Sequence, residues 1–204
     1  TCKLRHSSTL DQDRLFVCLM KSLLILTASG ENLMGRSQQS LPIYNQILTA
    51  LPRKTFEFLA PHLEIVSLAA GQILYHPQEP IRHAYFPNRS TISIVNLMAD
   101  GASIEIGVIG NEGVLGISLT SGYANSPHQA IVQVADSALR MKAERFKSAF
   151  AHHEDFQKLV LRYTHALFFQ VAQTASCNRL HPIVQRLARW LLPPSRVTCI
   201  SAMS

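Results

Sequence analysis

The sequence has few cysteines. Its 204 residues include four cysteines, at positions 2, 18, 177 and 199, and none belongs to a CxxC pair or a zinc-ligand spacing. We therefore expect no metal site and reduced thiols, as in a cytoplasmic protein. Charged residues are also scarce at 16%, whereas 47% of the chain is hydrophobic, so the chain can bury a core.

Acidic residues are missing from the last quarter of the chain. All 13 of them lie at or before Asp155, together with 13 of the 19 basic residues, so this part carries no net charge. The net charge of +6 comes from the basic residues that follow: Lys158, Arg162, Arg179, Arg186, Arg189 and Arg196. Such an excess is typical of a surface that faces nucleic acid, and the alternative is a set of solvated helix arginines.

A long uninterrupted apolar run is also missing. The best candidate, residues 15–28, contains Lys21 and is shorter than the roughly 20 residues of a membrane span, so we expect no membrane partner. The run could alternatively be the apolar core of a signal peptide. We predict that residues 1–40 are a poorly structured or non-native extension, because the chain begins with Thr1 and Met34 would be a natural start.

Short apolar or alternating runs separated by turn signals fill the middle of the chain. They cover residues 63–68, 73–75, 84–86, 91–98, 102–109, 114–119, 130–134 and 138–141. Asp100-Gly101 favours a two-residue hairpin, and Gly110-Asn111-Glu112-Gly113 turns the chain again. This pattern predicts a closed or sandwiched all-β architecture. The polar loop 120–127 has few bulky side chains, so such a fold could hold a small anion there.

Helical periodicity follows the strands. Residues 142–149 are predicted to form a short helix and residues 153–176 a long one. Apolar positions of the long helix recur every three or four residues: Phe156, Val160, Tyr163, Leu167, Val171 and Thr174. We expect part of this stripe to pack on the strands and the rest to form the two-fold seam of a homodimer. His181-Pro182 must interrupt the helix before another begins at residue 183.

The order of these signals resembles the sensory domain of the Crp/Fnr family of bacterial transcription regulators. The resemblance covers residues 41–192 and is carried by Tyr85-Phe86-Pro87, Asp100-Gly101, Gly110-Asn111-Glu112-Gly113, Gly116, Asn178-Arg179-Leu180-His181 and residues 186–191. It implies a mainly β, α+β fold: a double-stranded β-helix or jelly roll of the cyclic nucleotide-binding type over residues 41–152. A long dimerisation helix with a hinge (153–181) and the start of a DNA-binding domain (182–204) would follow. The N-terminal cysteine group that holds an iron–sulfur cluster in some relatives is missing.

The resemblance also implies an effector pocket. Relatives that bind cyclic nucleotides use a Gly-Glu pair for the ribose and a later Arg-Ser or Arg-Thr for the phosphate. Alignment on Gly116 and Ala130 puts Ile117 in the place of the glutamate and His128-Gln129 in the place of the Arg-Ser pair, with Ser118 beside them in the predicted pocket. Both charged contacts are absent, so we expect no cyclic AMP binding by the known mode and an unknown effector. His128 could contact an anion when protonated, or it could be a half-exposed strand histidine.

Signatures of catalysis are absent from the sequence. It contains no Ser/His/Asp nucleophile motif, phosphate-gripping glycine loop or paired catalytic carboxylates, so we expect neither an enzyme nor a cofactor. A cupin-like metalloenzyme is the weakest alternative, because no His-x-His occurs. His76, Glu79 and His83 are close in sequence but fall in a stretch with two prolines.

A regulatory mechanism follows from the resemblance. An effector in the roll would change the packing of the long helix, and a hinge at Asn178, Arg179, His181 and Pro182 would re-aim the DNA-binding domains of the dimer. The twelve residues after Leu192 cannot complete a helix-turn-helix, so we expect weak DNA binding or none. Arg186 and Arg189 could still contact phosphates. The alternative is a stand-alone module that binds a ligand or a protein but no DNA.

Overall fold

The computed structural model describes residues 43–98, 101–182 and 184, which belong to a compact unit that begins at Ile43. Predictions for residues 1–40, for Arg186 and Arg189 and for the chain after Leu192 lie outside the described residues. Within the described part, seven strands form two antiparallel sheets, and helices precede and follow them.

Two short helices lead into the strands. They are α1 (Gln46–Thr49) and α2 (Arg53–Leu59), and a 3-10 turn, Ala60–His62, follows. Asn45 caps α1 by accepting a hydrogen bond from the Leu48 N–H, and its amide donates to the carbonyls of Pro87 (3.0 Å) and Gly113 (2.8 Å). This fully buried side chain therefore ties the first helix to Pro87 and to Gly113 of the β-structure.

The strands form a three-stranded and a four-stranded sheet. They are β1 (Glu64–Leu68), β2 (Ile73–Tyr75), β3 (His83–Pro87), β4 (Thr91–Leu97), β5 (Ser103–Ile109), β6 (Gln129–Val134) and β7 (Asp136–Lys142). The strand order is β1-β7-β3 in one sheet and β2-β6-β4-β5 in the other, and all the pairs are antiparallel. Several neighbours are distant in sequence, as in a roll rather than a meander. The expected β-roll is confirmed.

Two helices close the described part. They are α3 (Ala143–His152) and α4 (Glu154–Leu180), and only His153 separates them. Phe86 of β3, Phe146 of α3 and Phe156 of α4 are completely buried, with ring centroids 5.4 to 6.4 Å apart. This aromatic cluster holds both helices on the three-stranded sheet.

The predicted strand at residues 114–119 is wrong. Leu115 makes a single bridge with Tyr85, and Ile117–Ser121 then forms a 3-10 turn. The reason is Gly116, whose φ of +116° ends the extended backbone and is strained for any side chain. The apolar run is continuous in sequence, but its Val114 and Leu115 are buried by a loop conformation rather than by a strand.

The β4–β5 hairpin is also longer than predicted. The Met98 N–H donates to the carbonyl of Ala102, so the strands close at Met98 and Ala102, which are separated by one residue more than a two-residue turn contains. Gly101 has a φ of +83° and donates to the carbonyl of Met98. A left-handed glycine as the last loop residue is typical of three-residue hairpins.

Candidate functional site

A cleft of about 690 Å³ lies between the β-roll and helix α4. One wall is formed by the 3-10 turn at Ile117–Ser121 and the loop that follows it, and the opposite side includes Thr164 of α4. The lining consists of Gln78, Ile117, Ser118, residues 121–127 and Thr164. The cleft therefore touches both the roll and the long helix.

Main-chain hydrogen bonds between two loops hold the outer wall of the cleft. The Gln78 N–H donates to the carbonyl of Ser126 (2.7 Å), and the Ser126 N–H donates to the carbonyl of Glu79 (3.0 Å). Gln78 itself has a φ of +66°, which is uncommon for a residue other than glycine. The left-handed Gly122 lets the chain leave the 3-10 turn and enter this loop. Backbone hydrogen bonds thus hold this wall, and Tyr123 adds an aromatic side chain to it.

The lining of the cleft is uncharged, since it carries no lysine, arginine, histidine, aspartate or glutamate, and it combines apolar side chains such as Ile117 and Tyr123 with a few polar groups. Hydroxyl groups come from Ser118, Ser121, Ser126 and Thr164, and amide side chains come from Gln78 and Asn125. The Ser126 hydroxyl already donates to the carbonyl of His128 (2.7 Å), and that of Thr164 donates to the carbonyl of Val160 (2.8 Å). Each of these oxygens keeps acceptor capacity for a ligand. The arrangement suits an uncharged polar ligand better than an anion.

The structure brings only part of the predicted effector pocket to this cleft. Ile117 and Ser118 line it, whereas His128, Gln129 and Ala130 do not. Gln129 and Ala130 belong to β6 and pair with Val95 and Ile94 of β4, and Ala130 is buried. Gly116 packs against Tyr75 and Ala84, so it shapes the turn without lining the cleft.

His128 offers no favourable charge for an anion. It is half-buried immediately before β6, and its Nδ1 atom is buried without a hydrogen-bond partner. Burial lowers the pKa of His128 below its usual 6.5, because the charged imidazolium loses solvation. The side chain is therefore neutral at physiological pH, in line with the alternative of a half-exposed histidine.

The position aligned with the ribose-binding glutamate carries an apolar side chain. Ile117 follows Gly116 and lines the cleft, and Val114, which follows Gly113, is fully buried. No glycine in residues 101–122 is followed by glutamate. Sequence reasoning had identified the loop 120–127 but missed Gln78 and Thr164, which no motif marks. Only the packing of α4 beside the roll places Thr164 at the cleft.

The predicted dimer seam is largely wrong in its residues. Val160, Tyr163 and Leu167 are buried inside this chain, with 0%, 5% and 6% of their surface exposed. Leu167 and Val171 face Gly107 of β5, where an added Cβ would lie 3.7 Å from each of their side chains. The periodic stripe is therefore the face with which α4 packs on its own roll. Thr174 is half-buried and donates to the carbonyl of Gln170.

A different face of α4 is apolar and exposed. Leu161, Phe168 and Phe169 are 50%, 69% and 61% exposed, and Leu180 is 75% exposed near the end of the helix. Leu161, Phe168 and Ala175 are spaced by seven residues, with His165 and Ala172 in between. This is the a/d spacing of a coiled-coil seam. We call Leu161, His165, Phe168, Ala172 and Ala175 the outer face of α4.

Two of the predicted hinge residues lie inside α4, and the other two follow it. Asn178 and Arg179 lie in the last turn of α4, so they are helical rather than part of a linker. The helix ends at Leu180, and His181 closes it by donating to the carbonyl of Cys177 (3.0 Å). The break expected at His181-Pro182 is therefore present.

Two searches of the described residues bear on other classes of function. Within residues 43–98 and 101–182, no three His, Cys, Asp or Glu side chains come together as metal ligands would. None of the helices in the same ranges combines the length and apolarity that crossing a bilayer requires.

Comparisons with known proteins agree with this architecture. The family model of the cyclic nucleotide-binding domain matches residues 65–153. No curated protein sequence matches the chain. Among solved structures, the c-di-GMP-responsive global regulator CLP of Xanthomonas campestris is similar with a TM-score of 0.59 at 14% identity, over 69% of this chain and 70% of that one.

Two further structures share the fold. A protein of Eubacterium rectale assigned to the Crp/Fnr family of transcriptional regulators has a TM-score of 0.62 at 12% identity, over 76% of this chain and 72% of that one. The regulatory subunit of a cAMP-independent protein kinase A from Trypanosoma cruzi, bound to guanosine, has a TM-score of 0.50 at 14% identity, over 58% of this chain and 41% of that one. Residues 65–153 are therefore similar to the cyclic nucleotide-binding domain, and the fold, continued by a long helix, is similar to that of Crp/Fnr-type regulators.

Proposed function

We propose that this chain is the sensory and dimerisation part of a Crp/Fnr-type transcription regulator and acts by binding rather than by catalysis. One observation carries the proposal: the 690 Å³ cleft is lined by both the roll and Thr164 of α4. A ligand there contacts both elements, so its binding energy can differ between two positions of the helix. A difference of this kind is what an effector needs in order to shift a conformational equilibrium.

The effector that fits the cleft is an uncharged polar molecule of nucleoside size. The lining supplies hydroxyl and amide groups, but no cation that could pair with a cyclic phosphate. The similar folds differ in what they bind, since one responds to c-di-GMP and another holds guanosine, which is uncharged. The guanosine complex is a precedent for a neutral nucleoside on this fold.

Dimerisation through the outer face of α4 completes the proposal. The exposed ring of Phe168 and the side chain of Leu161 would lie in water in a monomer. A second copy of the same helix would cover them by an isologous contact. The face of α4 that includes Val160, Tyr163 and Leu167 packs on the roll. A ligand in the cleft that shifts α4 therefore also shifts the dimer contact, because both lie on one rigid helix.

Thermal denaturation and calorimetry with guanosine and adenosine test the effector site. Binding should raise the midpoint of unfolding, and cyclic GMP should bind more weakly than guanosine, because its phosphate must lose water without finding a cation. Thr164→Val should reduce nucleoside affinity about fivefold to tenfold by removing one hydroxyl from the cleft. Thr174→Val is the matched control, since Thr174 makes the same hydroxyl-to-carbonyl bond on the same helix outside the cleft.

The result that overturns the neutral effector is tighter binding of a cyclic nucleotide than of its nucleoside. The alternative, a stand-alone regulatory module, would use the same effector site but would not bind DNA. Fluorescence anisotropy with duplex DNA at physiological salt separates the two, because DNA-dependent output requires sequence-selective binding by the full-length regulator.

A further inference from the structure

A second cleft, of about 320 Å³, lies at the three-stranded sheet, and none of its residues lines the first cleft. It is formed where the 3-10 turn at Ala60–His62 enters β1, beside the start of β3, the end of β7 and the first turn of α3. The lining consists of Pro61, His62, Leu63, Glu64, His83, Arg140, Lys142 and Arg145. Five separate elements thus bring polar side chains to one place.

The charges in this cleft do not balance. Its lining includes three permanent cations, Arg140, Lys142 and Arg145, and one carboxylate, Glu64. Both carboxylate oxygens of Glu64 accept from Arg140, at 2.9 Å from Nε and 3.0 Å from Nη2. Among the ion pairs of the described residues, none involves Lys142 or Arg145. Two cations therefore face the cleft without a carboxylate partner.

The pKa of His83, on the wall of the cleft, is affected by the same excess of positive charge. The pKa of His83 is lowered, first by burial and next by the nearby charge of Arg140. Lys142 and Arg82 lower it further, and only Glu64 acts in the opposite direction. His83 therefore lies in a net positive field that a bound anion would relieve.

Helix α3 adds to the positive field. Lys142 is its N-cap residue and makes no side-chain hydrogen bond to the first turn, and the ten-residue helix begins at the cleft. The N-terminal end of a helix carries partial positive charge, which favours an anion. Glu144 in the first turn offsets part of this charge, but it is exposed and does not line the cleft.

We propose that this second cleft binds a phosphate group, and that Lys142 and Arg145 provide its main contacts. A dianionic tetrahedral group matches two unpaired cations, and the guanidinium of Arg145 can donate two parallel hydrogen bonds to its oxygens. The cleft is larger than inorganic phosphate alone, so it has room for the remainder of a small phosphate ester. This site is independent of the proposed effector cleft, and either can fail without the other.

Titration of the full chain with inorganic phosphate tests the proposal, at about pH 8, where phosphate is a dianion. Potassium chloride replaces phosphate at constant ionic strength, so that screening does not change. We expect saturable shifts of the His83 and His62 imidazole signals in NMR spectra, with a Kd in the millimolar range, and a rise in the pKa of His83. The bound phosphate group could be the free ion or part of a phosphate ester, and glycerol 3-phosphate distinguishes the two. Tighter binding of glycerol 3-phosphate than of phosphate indicates an ester, and equal binding indicates the free ion.

Charge variants give the sharper test. Arg145→Gln and Lys142→Gln should each weaken phosphate binding roughly threefold to tenfold, because each removes one cation from the cleft. Glu64→Gln should tighten it, since the variant removes the carboxylate that competes for Arg140. Lys147→Gln is the matched control, because it removes one charge from the same helix outside the cleft.

Three results would overturn the phosphate site. The first is a set of imidazole shifts that are equal in chloride and phosphate. The second is an equal loss of affinity in Lys147→Gln and Arg145→Gln, which would indicate a diffuse charge effect. The third is a fall in affinity in Glu64→Gln, with circular dichroism spectra unchanged.

Discussion

Gly113 lies against the ring of Tyr163, and this single contact joins helix α4 to the turn after β5. A Cβ at Gly113 would overlap Cζ, Cε2 and the hydroxyl of Tyr163. The backbone angle at Gly113 is an ordinary one, so the need for glycine is steric and comes from the helix. The carbonyl of the same glycine accepts from the buried Asn45 amide, which leaves the turn little room to move away.

Gly113→Ala should therefore destabilise the protein by about 1–3 kcal/mol, the usual cost of overpacking a core. Chemical denaturation with circular dichroism measures it. Gly107→Ala is the control, because its Cβ would lie in ordinary contact at 3.7 Å from Leu167 and Val171 and should change stability by less than about 1 kcal/mol. Equal effects of the two substitutions would contradict the steric explanation.

Glu105 is a second residue whose environment makes a prediction. Burial raises the pKa of this carboxyl, while hydrogen bonds from Ser93 and Gln133 act in the opposite direction. A raised folded-state pKa means that the unfolded chain loses the proton first, so the stability falls as pH rises from the usual carboxyl pKa to that of folded Glu105. Above that range the loss is constant.

Glu105→Gln should consequently raise the free energy of unfolding at pH 7 and remove this part of the pH dependence. The glutamine oxygen can still accept from Ser93 and Gln133, so the hydrogen bonds are kept. Urea denaturation of both proteins between about pH 4 and pH 8 measures the difference. A variant that is less stable than the parent at pH 7 would show that the carboxylate is favoured by its two donors.

At the level of elements, helix α4 has two apolar faces with different partners. The inner face, which includes Phe156, Val160, Tyr163 and Leu167, is buried on the roll. The outer face carries the exposed Leu161 and Phe168. The first face explains why the helix stays docked, and the second gives a place for another copy of the chain.

Phe168→Glu should convert the proposed dimer into a monomer without unfolding it, because the side chain is 69% exposed in the chain itself. Two like charges brought together across a two-fold axis would oppose association. Light scattering at several concentrations measures the mass. Gln173→Glu, an exposed position on the same helix, is the charge-matched control and should remain dimeric. A parent protein that is already monomeric at high concentration would contradict the seam.

At the level of the whole molecule, two clefts in different parts of the fold carry different chemistry. The cleft beside Thr164 has uncharged walls, whereas the cleft beside Arg145 has an excess of cations. The fold places the uncharged cleft between the roll and α4. The regulator-type fold therefore does not by itself determine the charge of the effector.

We expect cyclic AMP to bind to the whole chain no more tightly than about millimolar, which corresponds to about 4 kcal/mol of binding free energy. The cleft beside α4 offers no partner for the phosphate, and the ribose-binding glutamate is replaced by apolar side chains. Isothermal titration calorimetry measures the affinity. Micromolar binding of cyclic AMP would contradict this expectation. The affinity of the Arg145→Gln variant for cyclic AMP would then show whether the second cleft binds it.

The sequence by itself determined the class of fold, most of the strands and the break at His181-Pro182, because alternation, turn residues and proline act over a few residues. It also showed that Ile117 and His128-Gln129 stand at the positions aligned with the charged cyclic-nucleotide contacts, since that is a matter of residue identity. It could not determine which apolar stripe of α4 faces the roll, because the inner and outer stripes both repeat at helical spacing. Only the tertiary structure decided this, by placing Tyr163 over Gly113 and Leu167 over Gly107. The tertiary structure also placed Thr164 beside the loop 121–127, and His62 beside Lys142 and Arg145, although the partners are distant in sequence.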